Sequence, residues 1–255
     1  MAEKIRLQGR SLLVGAVPLS YLTFAVGAML ILSLSLLPLA YKSGVAPYLQ
    51  GYLGEETKYF NLAFALILIV SGHMLYTALK IGSDRYMLKK AQNIHADTKD
   101  IFFYFSPKSF IGLLWLSLKL NLLKALIFLS FNVPTLICLS LIVNLSKSAF
   151  SAAVTLVLGA GCAAFLINAI RYYFKVTASL FLVKYYFIKG EYLNFRHLIS
   201  SSQKAMKGKC SELLRLKNSF IGWFVSCTFI LPAGYVWGYY NQTLAAYAAE
   251  IIKLQ

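Results

Sequence analysis

From Ser219 to Tyr240 the chain runs for 22 residues without a charged side chain, directly after a stretch that holds Lys204, Lys207, Lys209, Arg215 and Lys217. As a helix rising about 1.5 Å per residue, such a run is about 33 Å long, enough for the roughly 30 Å hydrocarbon core of a bilayer. Charge on one side and hydrocarbon on the other fix which way the segment faces. The chain therefore reads as a membrane protein, and the rest of it is judged by where its apolar runs and its charges fall.

Composition agrees. Of the 255 residues, 59% are apolar and 13% charged, with a mean hydropathy of +0.66, whereas soluble domains carry about 25% charged residues. There is too little polar surface here to coat a water-soluble globule. The net charge of +16 invites a nucleic-acid reading. The positive charge lies between apolar runs, however, as the positive-inside rule requires, so no nucleic-acid partner is expected. Cys138, Cys162, Cys210 and Cys227 show no metal-ligand spacing. They read as small hydrophobes, with no disulfide, metal or cofactor.

The apolar pattern predicts an all-α bundle of about five membrane-spanning helices, with interfacial amphipathic helices on the cytoplasmic side. The predicted spans are 15–40, 59–81, 125–145, 151–170 and 219–240, and the cytoplasmic loops are 82–124 and 171–218. The whole chain is read as one integral membrane domain. Pro18 and Pro38 fall near the ends of the first span, where a missing backbone donor is cheapest. The loop 41–58 and the start of the next span place Tyr48, Tyr52 and Tyr59 at headgroup level on the outer side. Residues 110–145 exceed one span. Lys119, Asn121 and Lys124 interrupt their first half, which predicts an interfacial helix over 108–124 with snorkelling lysines. A short turn, 146–150, precedes the fourth span, where Gly159 with Ala163 and Ala160 with Ala164 form small-residue pairs suited to close helix packing.

Basic residues partition with this topology. Three lie in residues 1–14, eight in 80–124 and ten in 171–218, so 21 of the 25 fall on one side. That asymmetry puts the N-terminus in the cytoplasm.

No phosphate-binding loop, zinc-protease motif, serine nucleophile elbow or C-x-x-C pair occurs. All nine acids read as lying outside the apolar cores, against an ion pump or an intramembrane aspartyl protease. No enzyme activity is expected. The polar groups that fall within or at the ends of spans are His73, Asn144, Asn168 and Arg171, a candidate intramembrane site. Gly234 and Gly238, after Pro232, mark either a broken helix lining a cavity or a packing face. Lys204, Lys207, Lys209, Arg215 and Lys217 are candidate contacts for anionic lipid. Met206, Cys210, Leu213 and Leu214 share one helical face opposite them, predicting one amphipathic helix flat on the inner leaflet.

Several stretches carry a family resemblance. They are Ser202, Met206 and Gly208 in a Ser-x-x-x-Met-x-Gly pattern; Ser219-Phe220-Ile221-Gly222-Trp223; Trp237 with Tyr239 and Tyr240; and Asp100-Ile101-Phe102 leading into Phe105. In these the chain resembles a bacterial integral-membrane family, domain of unknown function 975. The resemblance is concentrated in about the last 65 residues. It departs after Pro134, where the family's Pro-Gly turn has no counterpart. It implies a bacterial plasma-membrane protein and supplies no catalytic residues. The expected function is non-enzymatic, acting through contacts with lipids of the anionic inner leaflet, a membrane-protein partner or a second copy. The alternative is a transporter or permease subunit for a small solute, lipid or peptide.

Overall fold

The computed structural model describes residues 2–12, 21–29, 57–145, 152–190, 194–226 and 230–253. Among them every regular element is helical and no strand occurs. Residues 41–56 of the expected loop 41–58, with Tyr48 and Tyr52, the turn 146–150, Cys227 and most of the first span lie outside the described residues, and the loop's last two residues already begin a helix. Within that span a helical stretch covers 21–29. The chain divides into two compact units, residues 1–114 with 219–255, and residues 115–218.

The first unit contains α1 (Ala2–Ser11), α2 (Thr57–Ala91), a 3₁₀ segment (Thr98–Phe105), α8 (Ile221–Ser226) and α9 (Ile230–Lys253). Its core is the second half of α9, where Leu244, Ala245, Ala246, Tyr247, Ala248 and Ile251 are buried together. Small alanines on several faces let neighbours approach this helix all round. The Tyr239 hydroxyl donates to the Arg6 carbonyl of α1 (3.3 Å), and Gly9 of α1 faces Thr243. The Tyr21 ring of the 21–29 stretch occupies the space a side chain at Gly234 would take. Of the two readings of the Gly234–Gly238 pair, Gly234 thus fits a packing face. The last helix also extends to Lys253, past the Tyr240 boundary read from the apolar run.

α2 runs 35 residues and carries on ten past the expected end of its span. It stops where Asn93 takes a left-handed conformation (φ 56°), which asparagine tolerates. The chain then returns along α2 as the 3₁₀ segment. Lys89 donates to the Asp100 carboxylate at 2.6 Å, and Arg85 pairs with it at 3.4 Å while stacking on Phe103 at 3.6 Å from the ring centroid. Burial pushes the Asp100 carboxyl up. The Lys89 hydrogen bond, the Asp97 N–H and the Arg85 charge outweigh that and hold it below the usual carboxylate range. The family-like Asp100-Ile101-Phe102 stretch is therefore a docking device: Asp100 makes the ion pairs and Ile101 is buried.

The second unit contains most of α3 (Pro107–Leu145), then α4 (Ala152–Ser179), α5 (Val183–Ile188), α6 (Phe195–Ala205) and α7 (Cys210–Asn218). α3 and α4 run antiparallel and meet through rings, Phe128 with Tyr173 at 5.4 Å and Phe131 with Tyr172 at 5.9 Å. α3 is one helix through Lys119, Lys124 and Pro134. The break expected at Lys124 is absent, because lysine is a good helix former and two isolated charges do not end a helix. Side chains at Gly159 and Gly161 would meet nothing within 4 Å, and Ala163 and Ala164 are exposed, so this small-residue face packs on none of the described residues.

Two helices are long and apolar enough to cross a membrane, Pro107–Val143 and Leu156–Ile188, and only 6% of the apolar window of each is buried. Leu122, Leu126, Leu129, Val133, Leu136 and Ile137 all point away from the protein. The core helix of a water-soluble domain buries its apolar stripe instead.

At Gly82, α2 and the 3₁₀ segment approach so closely that a Cβ there would collide with the Ile101 carbonyl oxygen. Gly82→Ala is expected to lower stability by about 1–3 kcal/mol through this overpacking. Gly112→Ala, which meets nothing within 4 Å, is expected to be neutral or stabilising by up to about 1 kcal/mol. Thermal melting of the two detergent-purified variants checks the contrast.

Candidate functional site

The stretch predicted as one amphipathic helix over 200–217 forms two, α6 and α7, joined by a turn at Met206–Lys209. Gly208 sets the turn, with φ +79° in the region that favours glycine. The apolar side of this pair is covered by protein: Leu198, Ala205, Met206, Leu213 and Leu216 are buried. The expectation that it lies on lipid is thereby corrected, because the unit's own core takes up those side chains. What faces outward is the basic side. Lys204, Lys207 and Arg215 are exposed, and Lys209 and Lys217 are half-buried.

Ser202 fixes this pair to the end of α4. It is 0% exposed, accepts the Leu182 N–H at 3.2 Å and donates to the Ser179 carbonyl at 2.7 Å. A helix end leaves such groups unpaired, and one hydroxyl satisfies two of them where α4 gives way to α5. Ser202 and Met206, from the family-like pattern, are thus core residues, and Gly208 makes the turn.

Lys217 points inward towards two further lysines. Its ammonium lies 5.6 Å from the Phe181 ring centroid, Lys184 lies 4.6 Å from that of Tyr185, and the two rings are 5.3 Å apart. Burial, with the like charges of Lys184 and Lys124, lowers Lys217 to about 8.

The first unit holds a different polar feature, a seam between α2 and α9. The Lys80 ammonium donates to Asn241 Oδ1 at 2.7 Å and sits 4.5 Å from the Trp237 ring centroid. Gln242 is buried and donates to the Met87 carbonyl at 3.3 Å, while its Oε1 has no hydrogen-bond partner among the described residues. Asp84, read from the apolar pattern as a loop acid, is 1% exposed within α2, so an ionisable group does lie in a packed interior. Spacings of 4, 3, 4 and 3 put His73, Thr77, Lys80, Asp84 and Met87 on one helical face. His73 is the exposed end of that face, and its carbonyl accepts from Thr77.

Of the other candidate polar residues, Asn168 and Arg171 are exposed on α4, and the Asn144 side chain lies outside the described residues. In the Ser219–Trp223 run, Phe220 is buried against Tyr239 and Tyr240, with rings 5.0 and 5.4 Å away. Ser219, Gly222 and Trp223 are exposed.

A family model described as protein of unknown function (DUF975) matches residues 20–255. The chain belongs to this family. The match takes in the basic pair α6–α7, the Ser202 clamp and the α2–α9 seam, and leaves out residues 1–19, which include α1. No curated protein and no solved structure matches the chain.

A depressed lysine disfavours the folded state while charged. That cost is present below about 8 and is relieved as pH rises through this value towards the ordinary lysine pKa. Reductive ¹³C-methylation followed by NMR titration is expected to show one lysine signal with a midpoint near 8, missing in Lys217→Arg and shifted upward in Lys184→Met. Midpoints at ordinary lysine values for every signal would contradict the clustering.

Proposed function

We propose that this DUF975 member is a non-enzymatic, multi-pass plasma-membrane protein whose basic cytoplasmic face binds anionic lipid of the inner leaflet. The observation that carries the reading is the outward side of α6–α7, where Lys204, Lys207 and Arg215 are exposed in the unit that also bears the two membrane-length helices. Each such cation near an anionic surface contributes about 1 kcal/mol, screened by salt over about 10 Å. The positive-inside partition supports five spans with the N-terminus in the cytoplasm. A protein partner or a second copy is a compatible additional contact.

A second reading, a permease subunit, draws on the α2–α9 seam. Lys80, Asn241 and Gln242 there are polar groups of the kind that line a path for solute when they face water inside a membrane.

Lipid selectivity tests the first reading. The full chain, reconstituted in phosphatidylcholine, is titrated with brominated phosphatidylglycerol, and quenching of its tryptophans is followed. Several-fold preference for the anionic lipid at low salt is expected, falling with added salt. Joint replacement of Lys204, Lys207 and Arg215 by Gln is expected to remove most of it. Equal affinity for both lipids in the wild-type chain would contradict the proposal.

A further inference from the structure

We propose that the 3₁₀ segment Thr98–Phe105 is an interfacial anchor, with the Phe102 and Phe105 rings seated in the headgroup–acyl boundary of the inner leaflet beside the inner end of α2. It rests on the multi-pass reading of α2 and is independent of the basic side of α6–α7.

A 3₁₀ helix turns once every three residues, so side chains three apart line up. That period gives the segment three faces with three fates. Ile101 and Tyr104 form one face, and both are buried. Asp100 and Phe103 form the second. Arg85 of α2 engages both, the carboxylate at 3.4 Å and the ring centroid at 3.6 Å. Lys99, Phe102 and Phe105 form the third face, which points outward. Phe102 is 56% exposed and Phe105 38%, their ring centroids lie 5.8 Å apart, and Lys99 is exposed. A lone exposed apolar side chain is ordinary. Two paired rings on one outward face form a patch of the kind that marks a contact surface.

The level of the segment on α2 names the partner. Asp100 pairs with Lys89 and Arg85, and Ile101 lies against Gly82. The segment thus climbs α2 towards the apolar run whose inner end the sequence places at Ile81, the level where hydrocarbon gives way to headgroups. Only Ser106 separates Phe105 from Pro107, the first residue of a helix long and apolar enough to cross a membrane, and Ile111 in that helix is also exposed. Exposed lysines flank the rings, Lys99 before them and Lys108 after. The acids are engaged elsewhere, Asp97 by the Thr98 hydroxyl and Asp100 by Lys89 and Arg85. Aromatic rings with cations beside them are the composition of segments that lie in an anionic bilayer surface.

The test uses the full chain reconstituted in bilayers of phosphatidylcholine and phosphatidylglycerol. Single nitroxide labels are placed at positions 70, 95, 102 and 105, in a background with the native cysteines replaced. Val70, His95, Phe102 and Phe105 are all exposed, so no label displaces a core side chain. Electron paramagnetic resonance compares collisions with oxygen and with a water-soluble nickel chelate. At 102 and 105, chelate collisions are expected to be several-fold fewer than at 95 and oxygen collisions several-fold more frequent. Chelate access at 102 and 105 equal to that at 95, with exclusion at 70, would overturn the anchor and leave the α2 span in place. Free access at 70 as well would remove the span and the anchor together. Exclusion of both chelate and oxygen at 102 and 105 would overturn the proposal in favour of a protein cover, and dipolar broadening lost on dilution with unlabelled chain would identify that cover as a second copy. Phe102→Trp keeps a ring in place and is the second variant. Its added emission is expected to be quenched by lipid brominated near the headgroup end of the acyl chain, and added emission untouched by that lipid would also overturn the proposal.

Discussion

A lysine or arginine at the centre of a bilayer costs about 2.5–3.5 kcal/mol even by the mildest scale, and that cost shapes what each helix of this chain can do. α3 and α4 keep their apolar windows outward and free of protein cover, while the basic residues of α6 and α7 gather at the end of α4. Ser202 is the fastening there, closing the end of α4 and the start of α5 with one hydroxyl. The apolar side of α6–α7 is used up in this docking, so only its basic side remains for other contacts. The basic residues part accordingly, Lys204, Lys207 and Arg215 outward and Lys217 inward.

The two units put polar groups to different uses. In residues 115–218, charge is overwhelmingly positive and is only partly covered. In the first unit, polar groups are drawn into specific pairings: Lys89 and Arg85 share Asp100, Lys80 meets Asn241, and Gln242 donates to the Met87 carbonyl. Such pairings fix a packing arrangement, whereas exposed cations are open to an anionic surface. This contrast is why the lipid reading is placed on the second unit and why the α2–α9 seam supports only the permease alternative.

Much of this was legible in the sequence. Long apolar runs without acids gave helices, and family-like residues such as Asp100, Ser202 and Phe220 fell at docking points. Misreadings came where local pattern and tertiary context diverge. Lys119 and Lys124 looked like a boundary, yet lysine propagates a helix readily. Met206, Cys210, Leu213 and Leu214 keep one helical face through Gly208, so the spacing hid a turn that the backbone freedom of that glycine makes. Asp84 looked like a loop acid because the apolar run stops before it, and the pairing of Lys80 with Asn241, 161 residues further along the chain, holds the helix on a neighbour past that point. No local periodicity reports such a pairing. The approach of Lys184 and Lys217 to one pair of rings was hidden for the same reason, since the two lie on separate helices.

The central claim is that the outward apolar side of α3 meets hydrocarbon. Single nitroxide labels at positions 122, 129 and 136, in a background with the native cysteines replaced, test it by electron paramagnetic resonance in reconstituted bilayers. Collisions with oxygen that rise from 122 towards 136, with exclusion of a water-soluble nickel chelate at 129 and 136, are the predicted result. Free access of the chelate at all three positions would mean that this side faces water and would contradict the account.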